Sequence, residues 1–416
     1  MVTFPGAGAG GNFLERMLED LIRMMGQGSA SGGARVELAR TMAQNIASGG
    51  EAEGNVDPVE RIELEELVRL AERHVLELTG LDPVPAGSSL TVTAVRPGAW
   101  AWETVEDWQF LLEAMGQGGQ GPAGDPGTTL PVDPGLGLLG FGGDPGEGGS
   151  GGAGELLARY MATIGPMLAA LQLGFAIGHL ARSTLGQFEL PIPRPAGSRL
   201  LVVPGNITAF AESWSLPPDQ VRLWVCLREV TTQAVLSRPH VADRLRGLLG
   251  EVVQGMAEDT AGMVERLDTL DPNDPEALQR LMGAPESLLE SAPSPERERA
   301  AQQLTAVTAA LLGYVEHILD QASTRLLGGR TALTEAWRRR QVDRESGDRA
   351  AELLVGMDLG PGQVARGVAF VEGIVERAGE EGLARLWEND ANLPTPAEIE
   401  APGLWLERIS LEDAAG

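Results

Sequence analysis

The chain has 416 residues, 43% of them hydrophobic, more than one core usually supports, so two domains or one large multi-helix unit are expected. A formal net charge of -27 argues against a general nucleic-acid binder and against docking on anionic membranes, both of which need clustered cations. All 32 basic residues are arginine, so P-loop, Schiff-base, kinase-type and Ser–Lys chemistries are excluded.

In chain order, Met1–Gly11 carries neither a basic n-region nor an apolar h-region, so no signal peptide is expected. The single cysteine, Cys226, suits a reducing compartment, and the expected location is cytoplasmic. Residues 12–27 and 34–48 read as short amphipathic helices. Residues 57–80 read as a longer one, started by Asp57-Pro58 and stopped by Gly80. Residues 89–95 alternate like a short strand, and Trp100, Trp102 and Trp108 follow as expected core anchors in a stretch that ends as a helix near Met115.

Between Gly116 and Gly154 the composition turns to Gly, Pro, Asp and Gln, the signature of a linker or long disordered loop. Gly135, Gly137 and Gly140 fit a G-x-G-x-x-G pattern there, and Ser150 a G-x-S-x-G pattern. Neither has the strand-then-helix context its chemistry requires. The uncharged run Tyr160–Ala181 is long enough to span a bilayer. Pro166, His179 and the small-residue stripe Ala170, Gly174 and Gly178 instead favour a central buried helix that lets a neighbour approach closely.

Leu190–Arg194 and Arg199–Val203 read as two short extended segments, a hairpin or sheet edge. From Phe210 onward helices are expected over 216–237, 240–266, 275–284, 295–325, 330–343, 347–356 and 361–379, with Leu383–Trp387 as a short last one. The expected class is mainly α with a minor β hairpin or small sheet. The expected segments are 1–50, helical or flexible; 51–115, the N-terminal helical part; 116–154, the linker; and 155–410, the main helical domain.

The segment Trp214–Leu236 is apolar on most sides. Only Arg222, Cys226, Glu229 and Gln233 form a polar stripe, so its helix should be buried nearly all round. Its run Val-Arg-Leu-Trp-Val-Cys-Leu-Arg-Glu-Val-Thr-Thr-Gln-Ala-Val-Leu resembles the core helix of a bacterial zincin-like family of hydrolases or zinc-dependent metalloproteases. Leu185-Gly186-Gln187, Asp271 through Glu276, Trp337-Arg338-Arg339-Arg340 and Leu386-Trp387 extend the resemblance over roughly residues 57–405.

The resemblance implies a zincin-like helical architecture and an H-E-x-x-H motif, in which two His hold zinc and the Glu activates its water. Carried over, the first His falls on Arg228, the Glu on Glu229 and the second His on Thr232, with a later ligand near Leu312. Guanidinium stays protonated and offers no lone pair, a Thr hydroxyl is a poor neutral ligand, and Leu is none. Only Glu229 survives, so no resident metal or other cofactor is expected, zinc being the one to find if the motif reading fails.

Arg228, a cation that should not be buried alone, is expected to occupy the metal's place and pair with Glu316 or Asp320, while Glu229 faces away. The competing reading has Arg228 snorkelling to the surface. His317 with Glu316 and Asp320 is a weaker candidate for a substitute metal site, Cys226 reads as a packed thiol, and Arg338–Arg340 as a solvated helix end. The resulting expectation is an inactive zincin-like homologue, a scaffold or binding module for a protein or peptide. The alternative is a hydrolase with a rearranged site around Glu229.

Overall fold

Proline opens most of the helices, because it lacks only an N–H that the first turn leaves unpaired anyway. In the computed structural model, which describes residues 32–84, 88–117, 152–268, 293–326, 331–342 and 346–415, α1 spans Gly32–Ser48 and α2 spans Pro58–Thr79. Asp57 caps α2 by accepting from the Val59 amide at 2.8 Å, and Gly80 ends it in the left-handed region at φ 65°. The expected helices at 12–27 and 275–284, and both glycine motifs of the linker, lie outside the described residues.

Strand β1, Thr91–Ala94, is followed by α3, Pro97–Asp107, and α4, Gln109–Gln117. Helix α5 spans Gly152–Ala181, strand β2 Arg199–Val202 and α6 Pro204–Ser213. Next come α7, Pro218–Leu236; α8, Pro239–Asp268; and α9, Pro295–Leu326. They are followed by α10, Thr331–Val342; α11, Ser346–Leu354; and α12, Pro361–Ala384, which carries a break at Gly379, φ 69°. Two single-turn 3-10 segments then lead into α13, Pro396–Glu400, and α14, Pro402–Ala415. The chain is thus mainly helical with one small sheet, as the sequence indicates.

Three expectations are corrected. Leu190–Arg194 forms no strand, so of the two alternatives for the minor β element the small sheet is the one formed: β2 pairs in parallel with β1, Thr91 opposite Arg199 through Ala94 opposite Val202. Helix α6 begins before Phe210. Leu383–Trp387 is not the last helical element, since α13 and α14 follow and bury Ile399, Trp405 and Ile409.

Small residues set the closest helix contacts. A Cβ on Gly174 would lie 2.6 Å from the Ala39 carbonyl oxygen, and one on Gly178 2.8 Å from that of Ala43, so α5 and α1 touch backbone to backbone. The uncharged stripe of α5 therefore receives a neighbouring helix, and among the described residues no helix is long and apolar enough to cross a membrane. Helices α9 and α12 meet likewise, where a Cβ on Gly313 would lie 2.1 Å from the Gly367 carbonyl carbon. Trp100 and Trp108 are core anchors as expected, and Trp102 is half-buried beneath the Arg40 guanidinium.

Candidate functional site

Helix α7 runs through the centre of the molecule and is buried from Leu223 to Leu236. Its apolar faces explain that position, and its few polar residues must then find partners inside the protein. Cys226 is fully buried, and burial pushes its thiol up to about 12, with the Glu229 charge adding to the effect. It is the packed, unreactive thiol its surroundings suggest.

Arg228 is 8% exposed and Glu229 is 0% exposed. The Arg228 guanidinium donates to Glu229 Oε1 at 3.0 Å and to the Phe188 carbonyl at 3.1 Å. The other carboxylate oxygen of Glu229 accepts from the Phe188 amide at 2.8 Å. Two expectations fail here: Glu229 does not face away from Arg228, and Arg228 does not snorkel to solvent. The carboxylate that meets Arg228 is Glu229 rather than Glu316 or Asp320. Consecutive helix side chains leave the axis far apart, but the long arginine bends back to the nearest buried carboxylate, which would otherwise stand unneutralised.

Thr232 turns its hydroxyl back onto its own helix and donates to the Arg228 carbonyl at 2.9 Å. On α9, Leu312 is half-buried against the core, Glu316 is half-buried and Asp320 is exposed. His317 lies 3.0 Å from Glu380 on α12, so its carboxylate partner comes from another helix. Among the described residues no group of three or more His, Cys, Asp or Glu side chains is gathered to hold a metal ion.

Sequence reasoning missed a second layer. Trp337 of α10 has two guanidinium groups over its ring, those of Arg228 and Arg340, each 4.8 Å from the ring centre. Its edge packs against Trp224 at 5.1 Å. Arg340 also pairs with the buried Glu189 at 3.2 Å and donates to the Ser183 carbonyl at 2.6 Å. The expected solvated helix end is therefore true of Arg338 and Arg339, which are exposed, and wrong for Arg340. Arg194, stacked over Trp100, pairs with Asp107 at 2.6 Å and donates to the Thr104 hydroxyl at 2.8 Å. Arg228, which is buried, and Arg194 and Arg340, which are half-buried, thus face Glu229, Asp107 and Glu189.

These side chains converge on the segment between α5 and β2. The Gly186 carbonyl accepts from Trp100 Nε1 at 2.9 Å and from the Thr184 hydroxyl at 2.8 Å. Gln187 receives the Leu201 amide at 3.1 Å and reaches Gln233 at 3.3 Å. A Cβ on Gly186 would sit 2.5 Å from the Glu229 carboxylate carbon, so only glycine lets the backbone come this close. From Thr184 to Pro193 this irregular segment is buried, and an antiparallel bridge between Gly186 and Val202 together with side chains from α3, α7 and α10 supply its hydrogen bonds. Burial raises the Glu229 carboxyl above its ordinary range, against the lowering pull of Arg228 and the Phe188 amide.

Chemically the constellation is a closed ion-pair cluster. The zinc that the sequence resemblance implies does not fit it. The first ligand position carries a protonated guanidinium, the second a hydroxyl spent on its own helix, and the third an aliphatic side chain. Both oxygens of Glu229 are already engaged.

The chain has been compared with known proteins. It is similar to a protein of solved structure from Chloroflexus aurantiacus, described as a "putative hydrolase with a novel fold", at 21% identity. The alignment covers 90% of this chain and 98% of that one with a TM-score of 0.57, a likeness that bears on fold alone. No curated protein matches the chain. The profile of one family, described as zincin-like metallopeptidase, matches residues 35–406. Spanning most of the sequence and every element of the buried cluster, that match shows that the chain belongs to the zincin-like metallopeptidase family.

Proposed function

We propose that this chain is a zincin-like homologue that has given up zinc binding and catalysis and serves as a scaffold or binding module for a protein or peptide partner. One observation carries the reading: Arg228, where the resemblance sets the first zinc ligand, is ion-paired at 3.0 Å with Glu229, where it sets the general base. A general base needs a free lone pair and access to a metal-bound water. Glu229 is 0% exposed and its oxygens are taken by Arg228 and the Phe188 amide. The family's catalytic carboxylate has become a structural one. No resident cofactor forms part of this reading, and the reduced, buried Cys226 suits a cytoplasmic setting.

The alternative, a hydrolase using Glu229 in a rearranged site, draws on the raised carboxyl, which is what a base working near neutral pH requires. Its weakness is access, since substrate would have to displace a buried ion pair. Elemental mass spectrometry on untagged protein, purified without chelators, separates the two. The expected result is less than about a tenth of an equivalent of zinc, because a true site holds its metal tightly. Close to one equivalent overturns the proposal and calls for peptidase and esterase assays.

A further inference from the structure

Where α9, α12 and α13 meet, the surface opens into a cavity of about 370 Å³, within the roughly 300–1,000 Å³ of small-molecule sites. It shares no residue with the Arg228–Glu229 cluster, and the reading of that cluster does not bear on it. Ala301 and Ala306 of α9 and Ile399 of α13 give it an apolar wall, and charged side chains of both signs stand around that wall. Arg297 is already engaged, since it pairs with Asp259 at 2.6 Å. Arg366 is not. Its guanidinium donates to the Gln363 side-chain oxygen and lies a looser 3.7 Å from Glu400, which leaves donors of its fork unused. Gln363 is 2% exposed, and its amide nitrogen is anchored on the Thr305 carbonyl at 2.5 Å. A buried side chain thus fixes an exposed guanidinium at the rim. Glu298 takes the Gln302 amide at 3.2 Å and has no cation within ion-pair distance among the described residues.

We propose that this cavity binds a small zwitterion with an apolar side chain, a free amino acid or a dipeptide. Its carboxylate takes the unused donors of Arg366, its ammonium stands against Glu298 and Glu400, and its side chain covers Ala301, Ala306 and Ile399. Charge complementarity selects that class. A cation would leave Arg366 unmatched, an anion would meet two carboxylates, and an apolar ligand would cover all three charges without pairing them. The preset position of Arg366 lowers the ordering cost of binding.

The test is isothermal titration calorimetry of the full chain with leucine and with leucyl-leucine. Leucyl-leucine is expected to bind with a Kd of about 0.1–1 mM, in keeping with its size. N-acetylation removes the ammonium and C-terminal amidation the carboxylate, and each should weaken binding about tenfold or more. Arg366→Gln and Glu298→Gln should do the same, with melting temperatures near wild type because both side chains are exposed. The blocked ligands probe the same two contacts on the unaltered protein. Tighter binding of leucine than of leucyl-leucine would assign the site to free amino acids, and the reverse order to dipeptides. Absence of binding by either probe, equal binding of the acetylated or amidated form, or indifference to either substitution would overturn the proposal.

Discussion

Replacing Glu229 by alanine removes the partner of a guanidinium whose side chain is 9% exposed, and it orphans the Phe188 amide. Breaking a buried ion pair from one side costs roughly 3–5 kcal/mol, and an orphaned buried donor about 1–3 kcal/mol more. The two share one relaxation, so about 4 kcal/mol is the expected loss for Glu229→Ala. Glu229→Gln keeps one acceptor oxygen, which serves either the Phe188 amide or Arg228 while the amide NH2 faces the other, and it removes a carboxylate that burial already disfavours, so about 2 kcal/mol is expected. Differential scanning calorimetry at neutral pH reads the difference, with a fall in Tm of about 5–6 °C for alanine and about 2–3 °C for glutamine. If both variants melt with the wild type while a hydrolase activity disappears, Glu229 is catalytic and the structural reading fails.

The other predictions are narrower. Gly186→Ala forces a Cβ to 2.5 Å from the Glu229 carboxylate carbon and should cost about 1–3 kcal/mol in urea unfolding. Gly367→Ala would bring its Cβ to 1.9 Å from the Ala309 carbonyl oxygen, and the enforced separation of α9 and α12 should cost at least about 3 kcal/mol in the same assay. Cys226 should stay unreactive toward a disulfide exchange reagent in the native protein and titrate fully in denaturant, since it is buried and its thiol is pushed up to about 12. Burial works to raise the Glu398 carboxyl, but its hydrogen bonds from Arg408, at 2.6 Å and 3.0 Å, and from the Thr395 amide prevail and lower it. Its contribution is therefore present above the ordinary carboxyl range and lost as pH falls through the lowered value. Melting curves across acid pH should show Glu398→Gln flattening that loss.

Most helix boundaries were legible because the chain marks them chemically: Asp57-Pro58 and Gly80 bracket α2, and Pro295 and Pro361 open α9 and α12. The burial of α7 followed from its nearly all-round apolar surface. What the sequence withheld was pairing. Periodicity says that residues 91–94 and 199–202 are extended, but not that they lie side by side in parallel. Nor does it say that Arg340, in a run of three arginines, turns inward to Glu189 while its neighbours stay in water. That Arg228, Thr232 and Leu312 make poor zinc ligands was readable from residue chemistry, once the resemblance set the motif on them. The identity of Arg228's partner was not, because helical geometry places neighbouring side chains apart and only the length of arginine brings it back.

The parallel pairing also orders events in time. Strand β1 cannot find its partner until the chain has been made as far as Val202, about a hundred residues later. At roughly 5–20 residues per second, synthesis leaves Thr91–Ala94 with unpaired backbone for about 5–20 seconds. An unpaired strand is a template for another chain. This one is only four residues long, with two threonines, and is followed at once by Pro97 at the start of α3. Its shortness limits what a nascent neighbour could grip while the chain waits for β2.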